Sequence, residues 1–227
     1  MRIPSVLVLT FLSLSAGMVM KVRRISGNNE DTSVVYLDGQ RIRIDDHLQG
    51  YNVSYIYRVR DRQVFFINHD VKSYIFFTFE ILNELTGTME MLLERLGPEV
   101  RVSKLGAERR GDYDCWVYEA SKDGKRFARV WVVEPKTLGL DERSFENLSQ
   151  LQRFIDRNTQ QVSEMRREPF IAYGEIGGFP VEIVRYDKTG GVKLKETLLS
   201  AEVVKIDTVI FKEPEGYERV EAKIGER

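Results

Sequence analysis

Alternation of apolar and polar positions dominates the chain. Between Tyr51 and Arg60, the residues Tyr51, Val53, Tyr55, Tyr57 and Val59 alternate with Asn52, Ser54, Arg58 and Arg60. A period of two built from aromatic and β-branched residues predicts a strand with one face on a core and the other partly wet. TSVVYLDGQRIRIDD and EASKDGKRFARVWVV each contain two such runs, joined at Asp38-Gly39 and Asp123-Gly124. Asp-Gly readily takes the positive φ angles of a tight hairpin turn, so each stretch predicts a hairpin. A third is expected in FPVEIVRYDKTGGVKLKETLL, turning on Thr189-Gly190-Gly191. From Val64 to Phe79 both parities are apolar, with Phe65, Ile67, Ile75, Phe77 and Phe79 on one and Phe66, Tyr74 and Phe76 on the other. That pattern predicts a strand covered on both faces.

Two stretches change period and supply candidates for the cover. EILNELTGTMEMLLERLGP places Ile81, Leu85, Met89, Leu92 and Leu96 at helical spacing and stops at Gly97-Pro98. LDERSFENLSQLQRFIDRNTQQVSEMRRE runs from a cap at Asp141 through Phe145, Leu148, Leu151 and Ile155, with its apolar stripe thinning beyond. Taken together these elements predict an α+β domain: about ten strands in a curved antiparallel sheet, a half-open barrel, with two helical segments packed on its concave side. No low-complexity linker divides the chain.

The N-terminus departs from this pattern. MRIPSVLVLTFLSLSAGMVM has one early positive charge, Arg2, then an apolar run from Val6 to Leu14, then small residues. This is the layout of a secretory signal, so residues 1–17 are expected to be a signal peptide cleaved near 15–17, leaving 18–227 as one exported domain. Either Ser13 and Ser15 or Ser15 and Gly17 supply the small residues that a signal peptidase needs. The run is shorter than the roughly 20 apolar residues of a spanning helix, so no stable membrane span is expected after its removal.

Composition adds mainly exclusions. The 42% apolar content is that of a globular protein, and 34 basic residues nearly balance 35 acidic ones without forming a block. Nothing resembles the basic footprint of a nucleic-acid binder. The single cysteine, Cys115, falls in GDYDCWVYEA, where Tyr113, Cys115 and Val117 share one strand face and Trp116 and Tyr118 the other. A catalytic thiol needs a base, and only His47 and His69 are available; a metal site needs more soft ligands than the chain has. Packing is the expected role. In Asp45-Asp46-His47 and Asn68-His69-Asp70 a histidine adjoins carboxylates, but neighbours on a strand point to opposite faces, so each cluster is expected to diverge. The Gly174, Gly177 and Gly178 stretch lacks the following helix of a phosphate loop. No catalytic residue, metal site or cofactor is predicted, and the chain is not expected to be an enzyme.

Four stretches, YLDGQRIRIDD, RDRQVFFIN, GDYDCWVYEASKDGKRFARVWVVE and TVIFKEPEGYERV, together carry a resemblance. Their order is similar to the LolA-like fold of periplasmic lipoprotein carriers and, within it, to an uncharacterised periplasmic family of unknown function. The last stretch resembles the Phe-x-x-Pro-x-Gly ending of such proteins, here Phe211, Pro214 and Gly216. The resemblance implies a periplasmic protein that binds an apolar small molecule, lipid or acyl chain between sheet and helices. The Arg-Pro pair of the lipoprotein carriers is absent from Gln40-Arg41-Ile42-Arg43-Ile44, so no role passes to Arg41 or Arg43. The residues expected to line a cavity are Tyr55, Tyr57, Phe66, Phe77, Met89, Leu92 and Trp131. The competing expectation is a structural or interaction module of the cell envelope, with a filled core, no ligand and a protein partner.

Overall fold

The computed structural model describes residues 14–48, 50–79, 81, 100–122, 124–149 and 176–221. Among the described residues twelve strands form one sheet. In chain order they are β1 (Leu14–Ser26), β2 (Asn29–Leu37), β3 (Arg41–Leu48), β4 (Tyr51–Arg58), β5 (Gln63–Asn68), β6 (Ser73–Thr78), β7 (Val100–Arg110), β8 (Tyr113–Lys122), β9 (Lys125–Val133), β10 (Phe179–Tyr186), β11 (Val192–Asp207) and β12 (Glu218–Val220). In space the order is β12-β6-β5-β4-β3-β2-β1-β11-β10-β9-β8-β7. The two outermost strands do not meet, so the sheet curves without closing into a barrel. Every pairing is antiparallel except that of β12 with β6.

The three expected hairpins are present. β2 and β3 turn at Gly39 (φ 63°), β8 and β9 at Gly124 (φ 73°), and β10 and β11 at Gly190 (φ 88°). The count of about ten strands is corrected to twelve for physical reasons. Val64 to Phe79 is not one strand but the hairpin β5–β6, with Phe65 opposite Phe76 and Phe66 opposite Ile75. Its turn places Lys72 at φ 49°, a left-handed conformation rare outside glycine. The turn exchanges the parities, so Phe65 and Ile67 share a face with Tyr74 and Phe76 rather than with Phe77 and Phe79. β12, three residues long, carries no sequence pattern.

The helical cover is described in part. One helical stretch of some length is described, residues 142–149. Asp141 caps it as expected, accepting the amide of Ser144 at 2.8 Å. The segment read as a first helix, 80–98, lies outside the described residues apart from Ile81, as does the second helix beyond 149. Helix 142–149 docks on the sheet through Phe145 and Leu148, and Asn147 Nδ2 donates to the Gly39 carbonyl oxygen. That side is the inner face of the sheet.

The outer face is covered by the chain end. After β11, a 3-10 turn at Thr208–Phe211 starts with Asp207 Oδ1 accepting the Val209 amide at 2.9 Å. Its last carbonyl oxygens lack partners within the turn and are taken by guanidinium groups. Arg43 Nη1 donates to Ile210 O at 2.9 Å and Arg58 Nε to Phe211 O at 3.1 Å. Phe211 is only 1% exposed, beneath the Arg41 guanidinium and beside Ile56, Phe65 and Ile206. The chain then reaches the far edge, where β12 pairs with β6. This segment is a strap.

Gly17 is required by close packing. A Cβ there would lie 2.5 Å from the Leu37 carbonyl oxygen and 2.5 Å from Ile206 Cδ1. Gly17→Val is therefore expected to destabilise the fold by about 1–3 kcal/mol through overpacking. Phe211→Ala should cost about 3–5 kcal/mol by opening a cavity under the strap. Urea unfolding of both variants measures these losses.

Candidate functional site

Four of the expected cavity residues come together on the inner face, on three adjacent strands. Tyr55 faces Phe66 across β4–β5, while Tyr57, Val64 and Phe77 form the next row across β4, β5 and β6. The Tyr55 and Phe66 rings meet edge to face with centroids 5.2 Å apart, and Phe66 and Phe77 do so at 5.7 Å. Edge-to-face pairs set the positive edge of one ring against the negative face of the next. Tyr57, only 2% exposed, belongs to the floor, whereas Tyr55, Phe66 and Phe77 remain half-buried. Burial raises the Tyr55 hydroxyl pKa, Asp46 raises it further and Arg24 opposes both, so the tyrosine stays neutral.

Trp131 lies on the same face but in the other arm of the sheet. It is 3% exposed, its Nε1 donates to Glu108 Oε2 at 2.9 Å, and the Arg110 guanidinium sits 4.3 Å from the centre of its ring. It is a capped core residue and does not join the aromatic row. Met89 and Leu92 lie outside the described residues.

A polar belt that sequence spacing did not reveal borders the row. Arg24 Nε donates to Glu196 Oε1 at 3.1 Å and its Nη1 to Asp46 Oδ2 at 3.2 Å, while Ser33 Oγ donates to Asp46 Oδ1 at 2.9 Å. Burial works against the Arg24 charge, but Glu196 and Asp46 outweigh it and raise its pKa. The belt thus crosses β11, β1, β2 and β3 and ends beside Tyr55.

Cys115 packs in the inner core at 2% exposure, as expected, and burial raises the pKa of its thiol. A thiol held protonated is a poor nucleophile. His69 finds partners that its neighbours in sequence do not supply. Its Nε2 lies 2.6 Å from Ser54 Oγ and its Nδ1 3.0 Å from the Tyr217 hydroxyl. Ser54 Oγ also donates to Asp45 Oδ1 at 2.6 Å, and Arg43 binds both, reaching Asp45 at 2.6 Å and Ser54 at 3.1 Å. One donor pattern satisfies all of them: neutral His69 donates from Nε2 to Ser54, and Tyr217 donates to Nδ1. Asp45 contacts the serine rather than the histidine, and Ser54 is 1% exposed, so no relay reaches a substrate. The network ties the strap to the sheet. A neighbouring open cleft of about 390 Å³ holds Asp38, Gln40, Arg41, Arg58, Arg60 and Asp61, and its Arg41 and Arg58 are engaged with the strap. Among the described residues no cluster of His, Cys, Asp and Glu fits a metal ion.

The curved, unclosed antiparallel sheet with a helix on one face agrees with the half-open sheet expected from the sequence. The chain belongs to the family described as domain of unknown function DUF4412, whose model matches residues 17–217. Among curated proteins, none matches the chain. Among solved structures it is similar to an uncharacterized conserved protein from Thermus thermophilus, at 10% identity and a TM-score of 0.53 over 92% of each chain. That likeness shows a shared fold. The chain is also similar to the complex of Pseudomonas aeruginosa MucA/MucB, at 8% identity and a TM-score of 0.46, over 90% of this chain and 58% of that one. For PNGF-II the figures are 9% and 0.44, over 92% and 31%. At those scores neither likeness bears on function.

Burial and the Arg43 charge lower the His69 pKa below its ordinary 6.5, with Asp45 and Asp70 opposing. The folded state thus binds a proton less readily than the unfolded chain, so the stability this site contributes is present above 6.5 and lost as pH falls below it. His69→Gln should flatten the pH dependence of the urea midpoint between about pH 7 and about pH 5, a window above the titration of ordinary carboxylates. An unchanged slope would remove His69 as its cause.

Proposed function

We propose that the protein is an exported cell-envelope module that binds an apolar ligand, a lipid or acyl chain, along the inner face of its sheet. The observation that carries this reading is the row Tyr55, Phe66 and Phe77. These aromatic side chains stay half-buried, while the floor beside them, Ile42, Tyr57 and Val64, is shut. Rigid rings in edge-to-face contact offer a surface that a flexible chain can cover without reorganising the protein. The belt of Arg24, Asp46 and Glu196 beside Tyr55 would keep a polar end of the ligand hydrated. Binding rather than catalysis is favoured by the chemistry of the reactive groups, since Cys115 and Ser54 are buried and engaged in structure.

Export rests on the signal-like N-terminus. The packing of Gly17 against Leu37 and Ile206 favours cleavage after Ser15 over cleavage after Gly17, because only the former keeps this contact. No helix among the described residues is long and apolar enough to cross a membrane.

Titration with a fluorescent acyl-chain probe tests the binding reading. Wild-type protein should take up the probe, and Phe66→Ala should weaken uptake about tenfold or more, as expected for losing one ring of apolar contact. Trp131→Phe should leave uptake unchanged. Equal uptake by the Phe66 variant, or none by the wild type, would remove the aromatic row as the site.

A further inference from the structure

The inner-face ligand leaves one prominent surface without a role. Among the described residues β7 forms an edge of the sheet and pairs only with β8, from Val100 opposite Lys122 to Arg110 opposite Tyr113. We propose that this edge docks an extended, acidic segment of a partner protein, which adds to the sheet as a further strand.

An edge strand presents a row of backbone N–H and C=O groups to any chain that can lie alongside it. The opposite edge of this sheet is covered, because the strap lays β12 against β6. β7 is 11 residues long, and every described side chain along it is at least partly accessible. It also exposes apolar surface. Val102 is 38% exposed, Leu105 51%, and Trp116 on the adjoining β8 46%. Leu105 is the extra residue of a bulge between Lys104 and Gly106, and the Lys104 ammonium lies 3.3 Å from the centre of the Trp116 ring. A half-exposed tryptophan under a cation is the kind of anchor that dominates small interfaces.

Charge selects the partner. β7 carries Arg101, Lys104 and Arg109 as its excess charge, since its one acid, Glu108, is paired with Arg110 at 3.1 Å, in a chain whose overall formal charge is -1. Lysines and bulges on an edge commonly prevent two copies of a protein from pairing, and a second copy of this basic strand would be repelled. The same charges attract an acidic strand. A purely protective edge is short and polar, whereas this one is long and turns Leu105 and Val102 outward. Complementary charge with alternating apolar side chains is therefore the chemistry that fits.

The test uses the exported protein and two synthetic peptides of about ten residues that alternate Val and Thr with either Glu or Lys. Hydrogen exchange should show the Glu peptide slowing amides within residues 100–110 about tenfold or more, with the Lys peptide producing no slowing. Lys104→Glu, an exposed change that leaves the core intact, should weaken the Glu peptide about tenfold, and added salt should weaken its binding to the wild type. Three results would overturn the proposal: equal binding of both peptides, binding without protection of residues 100–110, or no binding of the Glu peptide at all. Pairing of β7 between two copies, seen as dimers by sedimentation with the same amides protected, would also overturn it. None of these outcomes touches the aromatic row, which lies in the other arm of the sheet.

Discussion

The pairing of β1 with β11 holds the molecule together. Gly17 lies opposite Val204 and Ile25 opposite Lys195, so the first described strand is joined to the penultimate one across nearly the whole chain. On one side of this seam stand β2 to β6, on the other β10 to β7, each arm built of neighbours connected in sequence order. The hairpins can form locally, but the seam closes a loop of most of the chain and bears a large closure entropy. A bulge between Lys21 and Val22 and the close approach at Gly17 adjust the fit. Without the seam there are two half-sheets and no inner face.

The two faces then solve different problems. On the inner face, aromatic and aliphatic residues from both arms meet helix 142–149 in one continuous core. On the outer face, the chain end crosses β3 to β6 and must satisfy its own backbone as it goes. Arg43 and Arg58 supply donors to its carbonyl oxygens, Phe211 fills the hollow beneath, and the His69–Tyr217 contact fixes the far end. Burying this many polar groups is tolerable because each has partners within reach. The ending Phe211, Pro214 and Gly216 therefore has a structural meaning. It encodes a strap, with Gly216 at φ 76° redirecting the chain toward β12.

Local signals were the legible ones. Asp38-Gly39, Gly124 and Gly190 marked turns because glycine is the usual occupant of positive φ, and alternation placed Tyr55, Tyr57 and Phe66 on one face. The β5–β6 turn was hidden because Lys72 holds a conformation that normally announces itself through glycine. Phe77 therefore shares the inner face with Phe66 rather than a face with Phe65. The capping of Trp131 by Glu108 and Arg110 could not be read either, because nothing in its sequence neighbourhood announces it. His69 could not be read from its adjacent carboxylates, since its real partners are Ser54 on β4 and Tyr217 on the strap. Contacts between residues far apart in sequence leave no periodic trace.

Whether the inner face carries an apolar ligand is the central question for this protein. Native mass spectrometry of protein purified from its exported compartment, with organic extraction of whatever accompanies it, addresses that directly. The account predicts a mass above that of the mature chain and an extractable lipid or acyl compound, lost in the Phe66→Ala variant. A wild-type mass equal to the bare chain, with an empty extract, would contradict it.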